Sequence, residues 1–108
     1  METIFVLTVM AFDGDKPVRG RSRTWGWFPT LAQAEQTVKT NDADIYENGY
    51  YNVVVVEEMA WGSLAMAKAE HWYSAVARLD DERCVAGYTV TKIDKPAALQ
   101  NTVSFGMG

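Results

Sequence analysis

Thr3-Ile4-Phe5-Val6-Leu7-Thr8-Val9-Met10-Ala11-Phe12 is the stretch whose reading decides the fold. It is rich in β-branched and aromatic residues, which fit a pleated surface. In a strand, Ile4, Val6, Thr8, Met10 and Phe12 point one way, and Phe5, Leu7, Val9 and Ala11 the other. Both sets are apolar. A half-exposed strand would alternate with polar residues, so this one is expected at the centre of a sheet. Val53-Val54-Val55-Val56, inside a strand expected over Tyr50–Met59, has the same two-sided character. Glu57 and Glu58 follow at once and would discourage pairing of this run with another molecule.

Outward from the first strand, Asp13-Gly14-Asp15-Lys16-Pro17 has turn chemistry, because Gly accepts positive φ and Pro fixes φ. Val18–Phe28 then reads as the second strand of a hairpin, with Gly20 and Gly26 leaving room for a bulge. Thr30 and Gln33 stand at capping-box spacing, and Leu31, Ala34 and Val38 fall on one helical face. The spacing predicts a helix over Leu31–Thr40. Asn41 and Asp42 end it or cap a further turn through Tyr46, which Asn48-Gly49 stops. Trp61–Ala69 reads as a loop or a short helix. His71–Leu79 and Cys84–Ile93 read as a hairpin around Asp80–Arg83, and Pro96–Leu99 as a turn of helix.

The order β-β-α-β-β-β with short connections predicts a single α+β domain over 1–108. Its sheet should be mainly antiparallel with about five strands, and one helix should pack on one face. One helix covers only one face of a sheet whose central strands are apolar on both. The Trp61–Ala69 segment, the alternately apolar tail Val103–Met107, or a second copy of the chain in a homodimer would have to cover the other.

The chain has 108 residues, 48% of them apolar, with a net charge of −4 and an isoelectric point near 4.8. An acidic balance argues against general affinity for a DNA backbone, which needs clustered Lys and Arg. Cys84 is the single cysteine, so no internal disulfide forms. Met1-Glu2 supplies no basic leader, and the apolar run of about ten residues is half of what spans a bilayer as a helix. The expectation is a chain without signal peptide or membrane segment, working in a cytoplasm.

The spacing motifs with strong warrants are missing. There is no GxxxxGK[ST], no GxGxxG, no HExxH and no CxxC. No catalytic residue, metal ligand set or cofactor is therefore expected. His71 and Cys84 could form a base–nucleophile pair only if the fold joined them; an inert thiol and a surface imidazole are the plainer reading. Residues 42–58 hold five acids and no base, namely Asp42, Asp44, Glu47, Glu57 and Glu58. With Tyr50 and Tyr51 they could form a contact for a basic protein surface. A metal-dependent enzyme built on Asp44 and Glu47 would need convergent geometry as well. Solvated acids and capping Asp residues are the plainer alternative. Arg19, Arg21, Arg23, Trp25 and Trp27 share one parity, and on a regular strand they would present cations beside rings, which suits a nucleotide. The rival reading is two core tryptophans after a polar strand end.

Arg23-Thr24-Trp25-Gly26-Trp27-Phe28-Pro29-Thr30, then Ala34-Glu35, Val38, Asn41, Asp44-Ile45-Tyr46-Glu47 and Gly49-Tyr50-Tyr51-Asn52, followed by the valine run and the tail Asn101–Gly108, resemble a small family of uncharacterised bacteriophage and mobile-element proteins. The resemblance covers most of the chain from residue 23 onward and carries no catalytic motif. It implies a small accessory protein that acts by binding, of the kind that inhibits a host defence system such as CRISPR. The leading expectation is thus a non-enzymatic binding protein with a host protein complex as partner. The alternative is a nucleotide-sequestering protein that uses the Arg19–Trp27 face.

Overall fold

The computed structural model describes residues 3–60 and 67–100. Five strands form one antiparallel sheet: β1 (Thr3–Asp13), β2 (Lys16–Phe28), β3 (Val53–Ala60), β4 (Ala69–Leu79) and β5 (Val85–Ile93). Their order across the sheet is β2-β1-β3-β4-β5. The two strands with apolar residues on both faces, β1 and β3, pair with each other near the middle, as their composition requires. β2 and β5 are the edges. The helix α1 (Leu31–Thr40) carries the chain from β2 over β1 to β3. The expected α+β fold is the observed one. Residues 61–66 of the expected Trp61–Ala69 segment and the whole expected tail Val103–Met107 lie outside the described residues, and Ala69 already belongs to β4. No helix among the described residues is long and apolar enough to cross a membrane.

Helix α1 begins where the capping residues place it. Thr30 is extended, at φ −135° and ψ 152°, and its Oγ1 accepts from the Gln33 amide at 3.2 Å. The same hydroxyl donates to Gln33 Oε1 at 3.2 Å, so the pair closes on itself. At the other end Asn41 turns left-handed at φ 52°, and its N–H reaches Thr37 O. Asn substitutes here for the usual glycine because its short polar side chain tolerates this region. Ala34, Thr37 and Val38 are the buried helix residues. They close a core with Leu7, Val9, Val54, Val56, Tyr73 and Ala75 from the sheet, and with Ile45, Tyr46 and Tyr51 from the loop after the helix.

The opposite face carries a second cluster of Met10, Phe12, Val53, Val55 and Trp72, against which Ile93 and Leu99 pack. Leu99 lies in the short helical turn Ala97–Leu99, within the segment expected to be helical. Val55 and Met59 on this face are 0% and 2% exposed within a single chain. Trp27 and Val76, which share this face, stay exposed at 61% and 60%.

Asn52, just before β3, ties the end of the sheet together. Its amide donates to Phe12 O at 2.9 Å and its Oδ1 accepts from Phe12 N at 2.8 Å. Its backbone N–H bonds Met10 O at 2.9 Å, and its carbonyl accepts from Ala75 N at 2.9 Å. One residue thus joins β1, β3 and β4 at the point where the 41–51 loop re-enters the sheet.

Candidate functional site

β2 departs from the regular strand that would align Arg19, Arg21, Arg23, Trp25 and Trp27. Gly26 pairs with Leu7 and Thr24 with Thr8, so Trp25 is an extra residue in a bulge. A bulge resets the alternation of side chains. Arg23 pairs with Val9 on the helix face, and Trp25 packs against the core of that face. Trp27 pairs with Val6 on the opposite face and is 61% exposed. The five residues therefore do not form one surface. The second irregularity places residues 18–21 between the Pro17 and Ser22 pairings, and there Arg19 is exposed with no ion pair among the described residues.

The acidic segment is divided as well. Glu57 and Glu58 lie at the far end of β3, about 20 Å along the strand from Tyr51 at 3.3 Å per residue. They also face opposite sides of the sheet, and Glu57 is fully buried. Tyr51 is buried too. Asp44 is engaged in turn geometry: its Oδ1 accepts from Asn41 Nδ2 at 3.3 Å and from the Asn48 amide at 3.2 Å. Asp42 is exposed in the short helical turn Asp42–Asp44. No group of three or more His, Cys, Asp or Glu among the described residues is placed to hold a metal ion.

What the fold does bring together is a part of each expected patch. Arg23 Nη1 meets Glu47 Oε2 at 3.1 Å, and the Arg23 guanidinium lies 5.0 Å from the Trp25 ring centre. The Arg21 guanidinium lies 5.0 Å over Tyr50, which is 45% exposed and meets Tyr51 edge-on at 4.9 Å. The arginines of β2 and the 41–51 loop are therefore one surface. Cations, a carboxylate and rings compensate one another across it.

The loop is held from below. Tyr46 is fully buried, donates to Val38 O at 2.5 Å and packs on Tyr88 at 4.8 Å. The Asn41 side chain accepts from the Tyr46 amide at 3.1 Å. Five non-glycine residues in the loop are left-handed: Asn41, Ala43, Asp44, Glu47 and Asn48. Burial pushes the phenols of Tyr46, Tyr51 and Tyr88 above their ordinary values; Tyr88 adds to this at Tyr46, Glu47 at Tyr51 and Asp44 at Tyr88. The Tyr73 phenol is raised in the same way, first by burial and then by its 2.6 Å hydrogen bond to Glu35 on α1.

His71 and Cys84 fall at opposite ends of the β4–β5 hairpin. Val56 pairs with His71, whereas Cys84 is exposed in the turn, where its amide donates to Asp80 Oδ1 at 2.9 Å. Some eight strand residues separate them, roughly 25 Å, and no proton passes directly over that distance. Sequence reading missed Asn52 and Arg78, both isolated polar residues beside apolar runs. No family model, no curated protein and no solved structure matches the chain.

Proposed function

We propose that this chain is a non-enzymatic binding protein that acts by protein–protein contact through the surface made by Arg21, Arg23, Glu47 and Tyr50. The observation that carries the reading is the exposed Tyr50 ring, held between the Arg21 guanidinium and the edge of Tyr51. Tyr and Arg are the side chains that dominate contact energies, because each combines large area with directional polar groups. A ring already braced by its neighbours loses little freedom on binding. Glu47 beside Arg23 offers a partner both signs of charge, which favours specificity over general attraction.

The resemblance to phage and mobile-element proteins directs the search for a partner to bacterial defence complexes, with inhibition as the outcome of binding. The test pairs the wild type with Arg21→Ala/Tyr50→Ala. A pull-down from host lysate should recover a specific complex with the wild type only. Expression should protect phage from the corresponding defence, and the double variant should not. Recovery of no specific partner, with no protection against any defence system, would reject the reading. The nucleotide reading, as placed on Arg19–Trp27, loses the ring that the Trp25 bulge turns to the other face.

A further inference from the structure

On the other side of the same loop lies a cleft of about 400 Å³ between the end of α1, residues 41–48 and the start of β5. Its size is within the range of small-molecule sites. Two cations line it, Lys39 and Arg78, and neither makes an ion pair among the described residues. Its one acid, Asp44, has one oxygen committed to Asn41 and Asn48.

Arg78 is placed by a missing atom. Its guanidinium lies against Gly87, its cross-strand partner, so closely that a Cβ there would collide with Nη2. Glycine at 87 thus provides the bed on which the planar group rests. Gly87 has no left-handed backbone to explain it. Two further features fall in the same cleft. Its wall contains Asn41, Asp44 and Asn48, at φ 52°, 54° and 57°. Tyr88 also lines it, with its hydroxyl buried beside the Gly49 backbone. Left-handed side-chain-bearing residues cost free energy, and they concentrate where ligands are clamped.

We propose that this cleft binds a small hydroxylated phosphate ester, with the phosphate on Arg78 and Lys39 and the hydroxyls toward Asp44. A guanidinium fork matches the oxygens of a phosphate, and an ammonium adds a point charge. The second oxygen of Asp44 is suited to hydroxyl donors. The site therefore has a cationic side and an acceptor side, and a ligand with both an anion and hydroxyls satisfies it.

The test is a titration of ¹⁵N-labelled protein with ribose 5-phosphate, inorganic phosphate and ribose as separate probes. Ribose 5-phosphate should shift the Gly87, Tyr88 and Asn48 amides and saturate, phosphate should do so more weakly, and ribose should do nothing. Arg78→Gln should weaken ribose 5-phosphate binding by about tenfold or more, as expected for loss of a charge-assisted bidentate contact. Gly87→Ala keeps the charge and displaces the guanidinium, so it should weaken binding to a similar degree while remaining folded by circular dichroism. Lys92→Gln, on β5 away from the cleft, should bind as the wild type does. No saturable shift with ribose 5-phosphate, an unchanged affinity in Arg78→Gln, or equal weakening in Lys92→Gln would each overturn the proposal. Phosphate binding as tightly as the ester would overturn the assignment of the acceptor side.

Discussion

The 41–51 loop separates two arginine sites that differ in one respect. Toward β2, Arg23 has Glu47 and Trp25, and Arg21 has Tyr50. Toward β5, Arg78 and Lys39 share a cleft with Asp44 but make no ion pair among the described residues. A compensated cation contributes shape and hydrogen-bond direction to a contact but attracts little at a distance. An uncompensated one beside a cleft keeps its field available for a mobile anion. Clustering in sequence therefore marks the wrong arginines for small-anion binding. Arg19, Arg21 and Arg23 stand out in the sequence, yet it is the isolated Arg78 that joins an unpaired charge to a cleft.

Breaking the loop's anchor should abolish the comparison altogether, and this is the largest effect expected. Asn52→Ala leaves the Phe12 N–H and C=O without their side-chain partners where the loop enters β3. Two part-buried groups left unsatisfied should cost about 2–4 kcal/mol. For a domain of this size that is a fall in Tm of roughly 10–25 °C, measurable by calorimetry. Both walls should loosen together, seen as faster amide exchange at Asn48 and Tyr50 alike.

Alkaline pH should attack both sides of the loop at once. Tyr88 lines the cleft, Tyr46 packs on it from the core and Tyr51 meets Tyr50 on the β2 side, and all three phenols are raised in the fold. An unfolded chain loses phenolic protons near pH 10, whereas the folded chain retains these until higher pH. Their contribution is complete below about pH 10 and is lost as pH rises toward the folded values. A thermal-melting series from pH 8 to 11.5 should show a flat region and then a fall. Tyr73→Phe, which removes a fourth raised phenol and its bond to Glu35, should start lower at pH 8 and fall less steeply. An equal slope in that variant would show that Tyr73 ionises freely.

A smaller change should come from the loop's backbone. Ala43, at φ 55°, has no polar side chain to offset the left-handed conformation. Ala43→Gly should therefore raise stability by about 0.5–1 kcal/mol, the left-handed penalty less the added freedom of glycine in the unfolded chain. Gly49, at φ 90°, is the converse case. A Cβ there would meet only Ala77 and Val85 at ordinary distances, so Gly49→Ala should cost about 1–2 kcal/mol through conformation alone. Chemical denaturation of the two variants should give opposite signs.

The framework was legible because its signals are local. Two-sided apolar runs put β1 and β3 in the middle, and Thr30 with Gln33 located the first turn of α1. The candidate site was legible only in part, because its layout depends on partners distant in sequence. The bulge at Trp25 follows from the register against Leu7 and Thr8, which Gly26 permits and does not specify. Parity placed Trp27 with the arginines because parity assumes no inserted residue. The acids of 42–58 looked continuous because net charge ignores the alternation of β3, which buries Glu57 and turns Glu58 to the other face. Asn52 carries no periodic signal. Its role appears only when β1 and β4 are alongside.

The smallest effect expected tests whether compensation at the β2 site serves the fold or the surface. The Arg23 and Glu47 side chains are 57% and 41% exposed, so water and salt screen their 3.1 Å ion pair. Arg23→Gln should change stability by no more than about 0.5 kcal/mol, and the difference should vanish in 0.5 M salt. It should still weaken any complex formed through Tyr50, because Arg23 bounds the same surface and orients Glu47. Loss of binding with stability intact would place the pair among contact-forming groups. A destabilisation of about 2 kcal/mol or more would instead make Arg23 part of the loop's support, and the two walls would then differ less in kind than in how many partners each has found.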